Sequence, residues 1–190
     1  MKRLASILAF AALVFNASAA TAQTPTKGFR AEFLMQQDGV EKELLGLAEA
    51  TPATFFAWRP AEGVRSVSEV FVHVAGGNYL FLGFAGVKVP DGSSPSEKNV
   101  TDKAAVIEAM KKSFAALRAG VASISDADLD KPVKMFGHDT TVRGVLLVAA
   151  THEHEHLGQS IAYARMNGIV PPWTAARQAK AAKPAEMPAK

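Results

Sequence analysis

Cysteine is absent from this chain of 190 residues. That excludes a disulfide framework, a thiolate metal site, a thiol nucleophile and a lipidated N-terminal cysteine. Excess charge of one sign is also scarce, with 21 Lys and Arg against 18 Asp and Glu. Charged residues make up 21% and hydrophobic ones 48%, a balance too apolar for a disordered chain. No apolar run is long enough to cross a bilayer core. What remains is the length and composition of one folded domain with a core of its own.

The two ends read differently from the body. Lys2 and Arg3 precede an apolar stretch over residues 4–15, and small residues follow as far as Ala20-Thr21-Ala22. This is the layout of a secretory signal cleaved before Gln23, so a periplasmic or secreted mature protein is expected. Residues 174–190 are rich in Ala, Lys and Pro and are expected to form a mobile basic tail. Between these ends, residues 23–173 hold 15 basic and 17 acidic side chains. The high isoelectric point therefore belongs to the ends. A nucleic-acid surface, which needs clustered cations, is not expected on the body.

Four segments carry apolar residues at helical spacing. Residues 29–50 place Phe33, Leu34, Val40, Leu44 and Leu47 on one side, and Thr51-Pro52 ends the pattern. Residues 66–85 open with Ser66 as N-cap and Glu69 three positions later, a capping-box pattern. A loop over residues 89–99 separates this from a third helix, which opens at Thr101 or Asp102 and runs to about Val121. Residues 123–139 read as another loop. The fourth helix starts at Thr140 or Thr141 and reaches Asn167, where Gly168 stops it and Pro171-Pro172 seals the boundary. With no alternating strand pattern, these segments predict an all-α four-helix bundle.

Three of the five histidines fall in the fourth helix, as His152-Glu153-His154-Glu155-His156. Residues four apart stack on one helical face, whereas residues two apart point nearly opposite ways. His152 and His156 can therefore grip one ion together, and His154 cannot easily join them. A third ligand must come from another helix, and His73, flanked by Val70, Phe71, Val72 and Val74, is the leading choice. Alone, His73 would read as a core histidine satisfied by a hydrogen bond. The stacked pair elsewhere reverses that preference. His154 and His138 are expected at the surface or in a loop, as are Glu153 and Glu155.

The same segment matches the zinc-protease pattern His-Glu-x-x-His, with Glu153 as general base. The longer form of that motif fails, because Gln159 and Ala162 stand where Gly and His are required. A glutamate ligand downstream is missing too, since the only acidic residue after His156 is Glu186. The protease reading is the weaker one.

With both halves of the site in view, the chain resembles the DinB superfamily of metal-binding four-helix bundles. The resemblance rests on Trp58-Arg59-Pro60, on residues 66–73 ending in His73, and on His152-x-x-x-His156-Leu157-Gly158-Gln159 running on to Pro171-Pro172. It implies an up-down-down-up bundle, often dimeric, with His73, His152 and His156 as ligands of one divalent ion. Characterised members include metal-dependent thiol transferases and a thiol-dependent isomerase. The chain departs from the family pattern at Glu155, where an extra His is frequent, and at Leu157, where Arg is frequent.

Imidazole ligation suits Zn, Ni or Fe and leaves coordination positions open for water or a small-molecule substrate. Glu69, one turn before His73, could accept from that ring's second nitrogen or serve only the capping box, and Gln159, three residues after His156 and close to the same face, could contact a bound water or bond across the bundle. The expected activity is a hydrolase or thiol-type transferase. A non-catalytic metal- or ligand-binding bundle is the alternative.

Overall fold

A computed structural model describes residues 24–182 of the chain. The expected signal segment and the last eight residues of the expected tail lie outside the described residues. Four long helices carry the fold: α1 (Gly28–Ala50), α2 (Val67–Phe84), α3 (Lys103–Ser123) and α4 (Val142–Met166). Their boundaries follow local chemistry. Ser66 accepts the Glu69 backbone N–H while the Glu69 carboxylate accepts the Ser66 N–H, closing the capping box of α2. Asp102 and Thr141 cap α3 and α4 in the same side-chain-to-backbone manner. Gly168, at φ +70°, reverses the chain after α4 as the Ile169 N–H returns to the Ala164 carbonyl at 2.9 Å.

The core falls into two clusters, one at each end of the bundle. One joins Val40 and Leu44 of α1, Val70 to Ala75 of α2, Val106 to Phe114 of α3, and Leu157 and Tyr163 of α4. The other joins the start of α1 and of α4 (Phe33, Val145) to the finish of α2 and of α3 (Leu82, Val121). Helices α1 and α4 thus run one way and α2 and α3 the other, giving the up-down-down-up bundle. Packing is around a ring in which α2 touches α3 and α4, and α1 touches the same two.

This topology has a consequence for the site. Helices α2 and α3 are parallel neighbours, so the chain leaving α2 must travel back along the bundle before α3 begins. An 18-residue helix is about 27 Å long. Residues 85–102 make that return as an extended crossover, and they carry Glu97 past the middle of α2.

Two expectations from the sequence are corrected. Residues 123–139 are not simply a loop: a two-stranded antiparallel hairpin, β1 (Pro132–Met135) and β2 (His138–Thr141), delivers the chain directly into α4. Its strands are only four residues each, too short for alternation to register as a pattern. The tail expected from residue 174 is helical in its described part, as α5 (Pro172–Ala182). Pro172 is its first residue, a position where the missing N–H costs nothing, and Trp173 packs against the core cluster.

Candidate metal centre

The fourth helix turns His152 and His156 to the same side, as spacing requires, with ring centroids 4.6 Å apart. From across the α2–α4 interface His73 meets both rings, at 5.0 Å from His152 and 4.7 Å from His156. One nitrogen from each ring lies within 4.8 Å of the other two. The Nε2 atoms of His73 and His152 stand 3.1 Å apart. Nitrogens sharing a tetrahedral zinc ion lie about 3.3 Å apart, given bonds of about 2.0–2.1 Å. The donor set therefore fits a divalent ion with only small ring movements.

Each ring is held by something different. His73 donates from Nδ1 to Glu97 Oε1 at 2.9 Å, and Arg65 holds the other Glu97 oxygen at 2.8 Å. His156 donates from Nδ1 to Gln159 Oε1 at 2.8 Å. The Gln159 amide in turn donates to the Tyr163 hydroxyl, which donates to the Arg65 carbonyl. With Nδ1 committed as donor, Nε2 of both rings keeps its lone pair for the shared space. His152 is held sterically. It packs against the Phe81 ring, and its buried Nδ1 has no hydrogen-bond partner. Gly77 of α2 makes room for it, because a Cβ there would lie 2.5 Å from His152 Cε1.

Electrostatics favour the neutral form of His73 and His152. Burial, reinforced by the neighbouring imidazoles, lowers the His152 pKa to about 4. Burial also lowers that of His73 and outweighs the opposing pull of Glu97. Burial would raise the Glu97 pKa, but hydrogen bonds from Arg65 and His73 leave it below the usual carboxylate value. An ionised carboxylate thus stands behind His73, and His73 and His152 are held uncharged, the protonation state in which imidazole binds a cation.

Several side chains stand elsewhere than expected. Glu69 does not support His73: its carboxylate is engaged by the Ser66 N–H and by Arg59 at 3.1 Å. The His73 partner is Glu97, which reaches the site only because of the crossover. Glu153 is not a surface residue but fully buried. It falls on the inward stripe of α4 with Ala149, His156 and Ser160. Burial pushes its carboxyl up to about 8, with Gln37 and Glu41 of α1 as the polar groups acting on it. Gln37 lies near enough to temper that shift, yet neither side chain completes a hydrogen bond of standard geometry. Turned toward α1, Glu153 does not line the cavity beside the triad, so it cannot act as the base of a zinc protease there. His154 and His138 are exposed.

A cavity of about 570 Å³ opens on His73 and His152. Its walls come from α2, the crossover, the hairpin tip and the outer side of α4. Phe136 at the hairpin tip, Gly77 and Glu97 carried no recognisable signal of their own. In hindsight, only the adjacent glycines 76 and 77 in mid-helix, costly to helix propensity, mark a close approach.

Comparison with known proteins bears on this arrangement. Among solved structures, a DinB-like protein from Bacillus cereus ATCC 10987 superposes with a TM-score of 0.66 at 18% identity, covering 74% of this chain and 93% of its own. A DinB-like protein from Bacillus subtilis superposes with a TM-score of 0.59 at 20% identity, over 73% and 93%. At such identities the likeness speaks for the fold alone. No curated protein matches the sequence significantly. The DinB superfamily model matches residues 36–160, a span that includes all three imidazoles and most of the bundle, and the chain belongs to that superfamily.

Proposed function

We propose that this is an exported protein that binds one divalent transition metal ion, Zn, Ni or Fe, through His73, His152 and His156. The convergence of three imidazoles from two helices carries the reading. Export rests on the basic, apolar and small-residue layout of residues 1–22. A bound ion would supply Lewis acidity and open coordination positions to a water or thiol ligand.

The protein's own groups do the rest. Glu97 and Gln159 fix the ring tautomers. Glu97, ionised beside the triad, holds negative charge against the His73 ring and so favours cation binding there. The cavity's largely apolar walls, with Val72, Leu80 and Phe81 among them, border His73 and His152. Metal-dependent hydrolysis or thiol-type transfer is the reaction class that suits such a site.

A non-catalytic metal-binding bundle is the second reading, and the cavity opening on two of the three rings argues against it. A site meant only to hold the fold together is normally closed by a fourth protein ligand. The test is chelation. Helical circular dichroism should survive metal removal while turnover of an ester or thiol-transfer panel falls and returns with added ion. Unfolding on chelation, with no turnover in the loaded protein, would favour the second reading.

A further inference from the structure

The lining of the cavity beside the triad narrows the chemistry of what enters it. Its walls are largely apolar, with Val72, Leu80, Phe81, Val148 and Phe136 among them. No Lys or Arg lines it, while two carboxylates, Glu97 and Glu155, do. Glu97 is already engaged by Arg65 and His73. Glu155 stands exposed at the rim and forms no ion pair with any described residue. A ligand carrying several negative charges would lose hydration there without meeting a counter-charge, and would face the Glu155 carboxylate.

Phe136 is the least expected wall. It sits at the hairpin turn with φ +50°, a left-handed conformation that bulky residues seldom adopt, beside Gly137 at φ +84°. A turn of that shape prefers Asn or Gly. Phe136 nevertheless presents a ring that is 62% exposed, held edge-on to Phe84 at 4.8 Å. Backbone strain and an exposed aromatic coincide at the mouth of the cavity that opens on His73 and His152. That combination is costly without a ligand to cover it.

We infer that the cavity takes a small molecule with one metal-binding end and an apolar, ring-sized body that is neutral or cationic, with Phe136 as its wall contact and Glu155 as the filter against further negative charge. The volume of about 570 Å³ lies in the range of pockets that take drug-sized ligands, so a body of one ring enters with room to spare. The metal-binding end of this inference rests on the proposed metal function, whereas the charge and shape preference rests on the cavity alone.

Two measurements separate these parts. In the first, the metal-free protein is examined by saturation-transfer NMR with benzylamine and with benzoate. Benzylamine should show transfer that Phe136→Ala weakens, and benzoate should show little; the reverse order would overturn the inference. In the second, Co(II) is added and its visible spectrum reports imidazole ligation. Acetohydroxamate, benzohydroxamate and 4-carboxybenzohydroxamate are then titrated in turn.

Benzohydroxamate should bind at least about tenfold more tightly than acetohydroxamate, from burial of its ring. The added carboxylate should cost about tenfold, and Glu155→Gln should recover most of that loss. Phe136→Ala should shrink the ring preference severalfold. Equal affinities for the three probes, or tighter binding of the carboxylated one, would overturn the inference even with the metal bound. A missing cobalt spectrum with the benzylamine preference intact would instead refute the metal reading and leave the cavity preference standing.

Discussion

Substituting Gly77 by Ala puts the steric reasoning about His152 under direct strain. Gly77 lies in helical backbone, so Ala is conformationally welcome there and would ordinarily add up to about 1 kcal/mol to helix stability. Its Cβ, however, would fall 2.5 Å from His152 Cε1 and 3.0 Å from Nδ1. Carbon atoms rest at about 3.5–4.0 Å, so the ring must retreat by about 1 Å. Metal–ligand distances tolerate only about 0.2 Å. Misplacing one of three imidazoles should weaken metal binding by at least the 10–100-fold typical of lost ligand support. Helix content should stay close to wild type.

The assay is competition for Zn or Co against a chromophoric chelator, with circular dichroism alongside. Gly83→Ala serves as the control, since nothing lies within 4 Å of a Cβ at that position. Wild-type metal affinity in Gly77→Ala would refute the placement of His152 as a ligand held by close packing against α2.

Three further outcomes are expected. Glu97→Gln removes the anion behind His73 and should lower metal affinity by about 10–100-fold in the same competition assay, while Glu69→Gln, whose partners are Ser66 and Arg59, should leave it nearly unchanged. The Glu153 carboxyl, held near 8 in the fold against 4.5 for an unperturbed group, keeps a proton that the unfolded chain releases, so this group should cost the metal-free protein about 1 kcal/mol of stability as pH rises from 7 to 8. His152 and His73, whose pKa values burial lowers, act with the opposite sign through unfolded rings that titrate around 6.5, so the comparison is made above pH 7, where urea titrations of Glu153→Gln should show the Glu153 component of the slope abolished. Ser66→Ala opens the capping box of α2 and should cost about 1 kcal/mol of stability, read as a lower urea midpoint with an unchanged slope.

The parts of the fold that local chemistry controls were legible in the sequence. Ser66 and Glu69, Asp102, Thr141 and Gly168 mark helix ends through their own side chains or backbone freedom, and the structure uses each of them so. The pairing of His152 with His156 follows from helical geometry alone. What local reasoning missed depends on the path of the chain between helices. Glu97 stands 24 residues from His73 and meets it because parallel neighbours demand a long return.

Glu153 was misread for another reason. Charge between two histidines suggests solvent, yet its position on α4 continues the stripe through Ala149, His156 and Ser160. Periodicity was the better guide there than residue type. The four-residue strands of the hairpin were invisible because so short a run contains barely one alternation, and with them went Phe136.

Metal content tests the central claim most directly. The protein, produced untagged from the full sequence and recovered after export, would be measured by inductively coupled plasma mass spectrometry beside His73→Ala, His152→Ala and His156→Ala. One equivalent of a divalent transition metal in the wild type, lost in all three variants, is the expected result. Metal retained by His73→Ala, or no metal in the wild type under any loading condition, would contradict a site shared between α2 and α4.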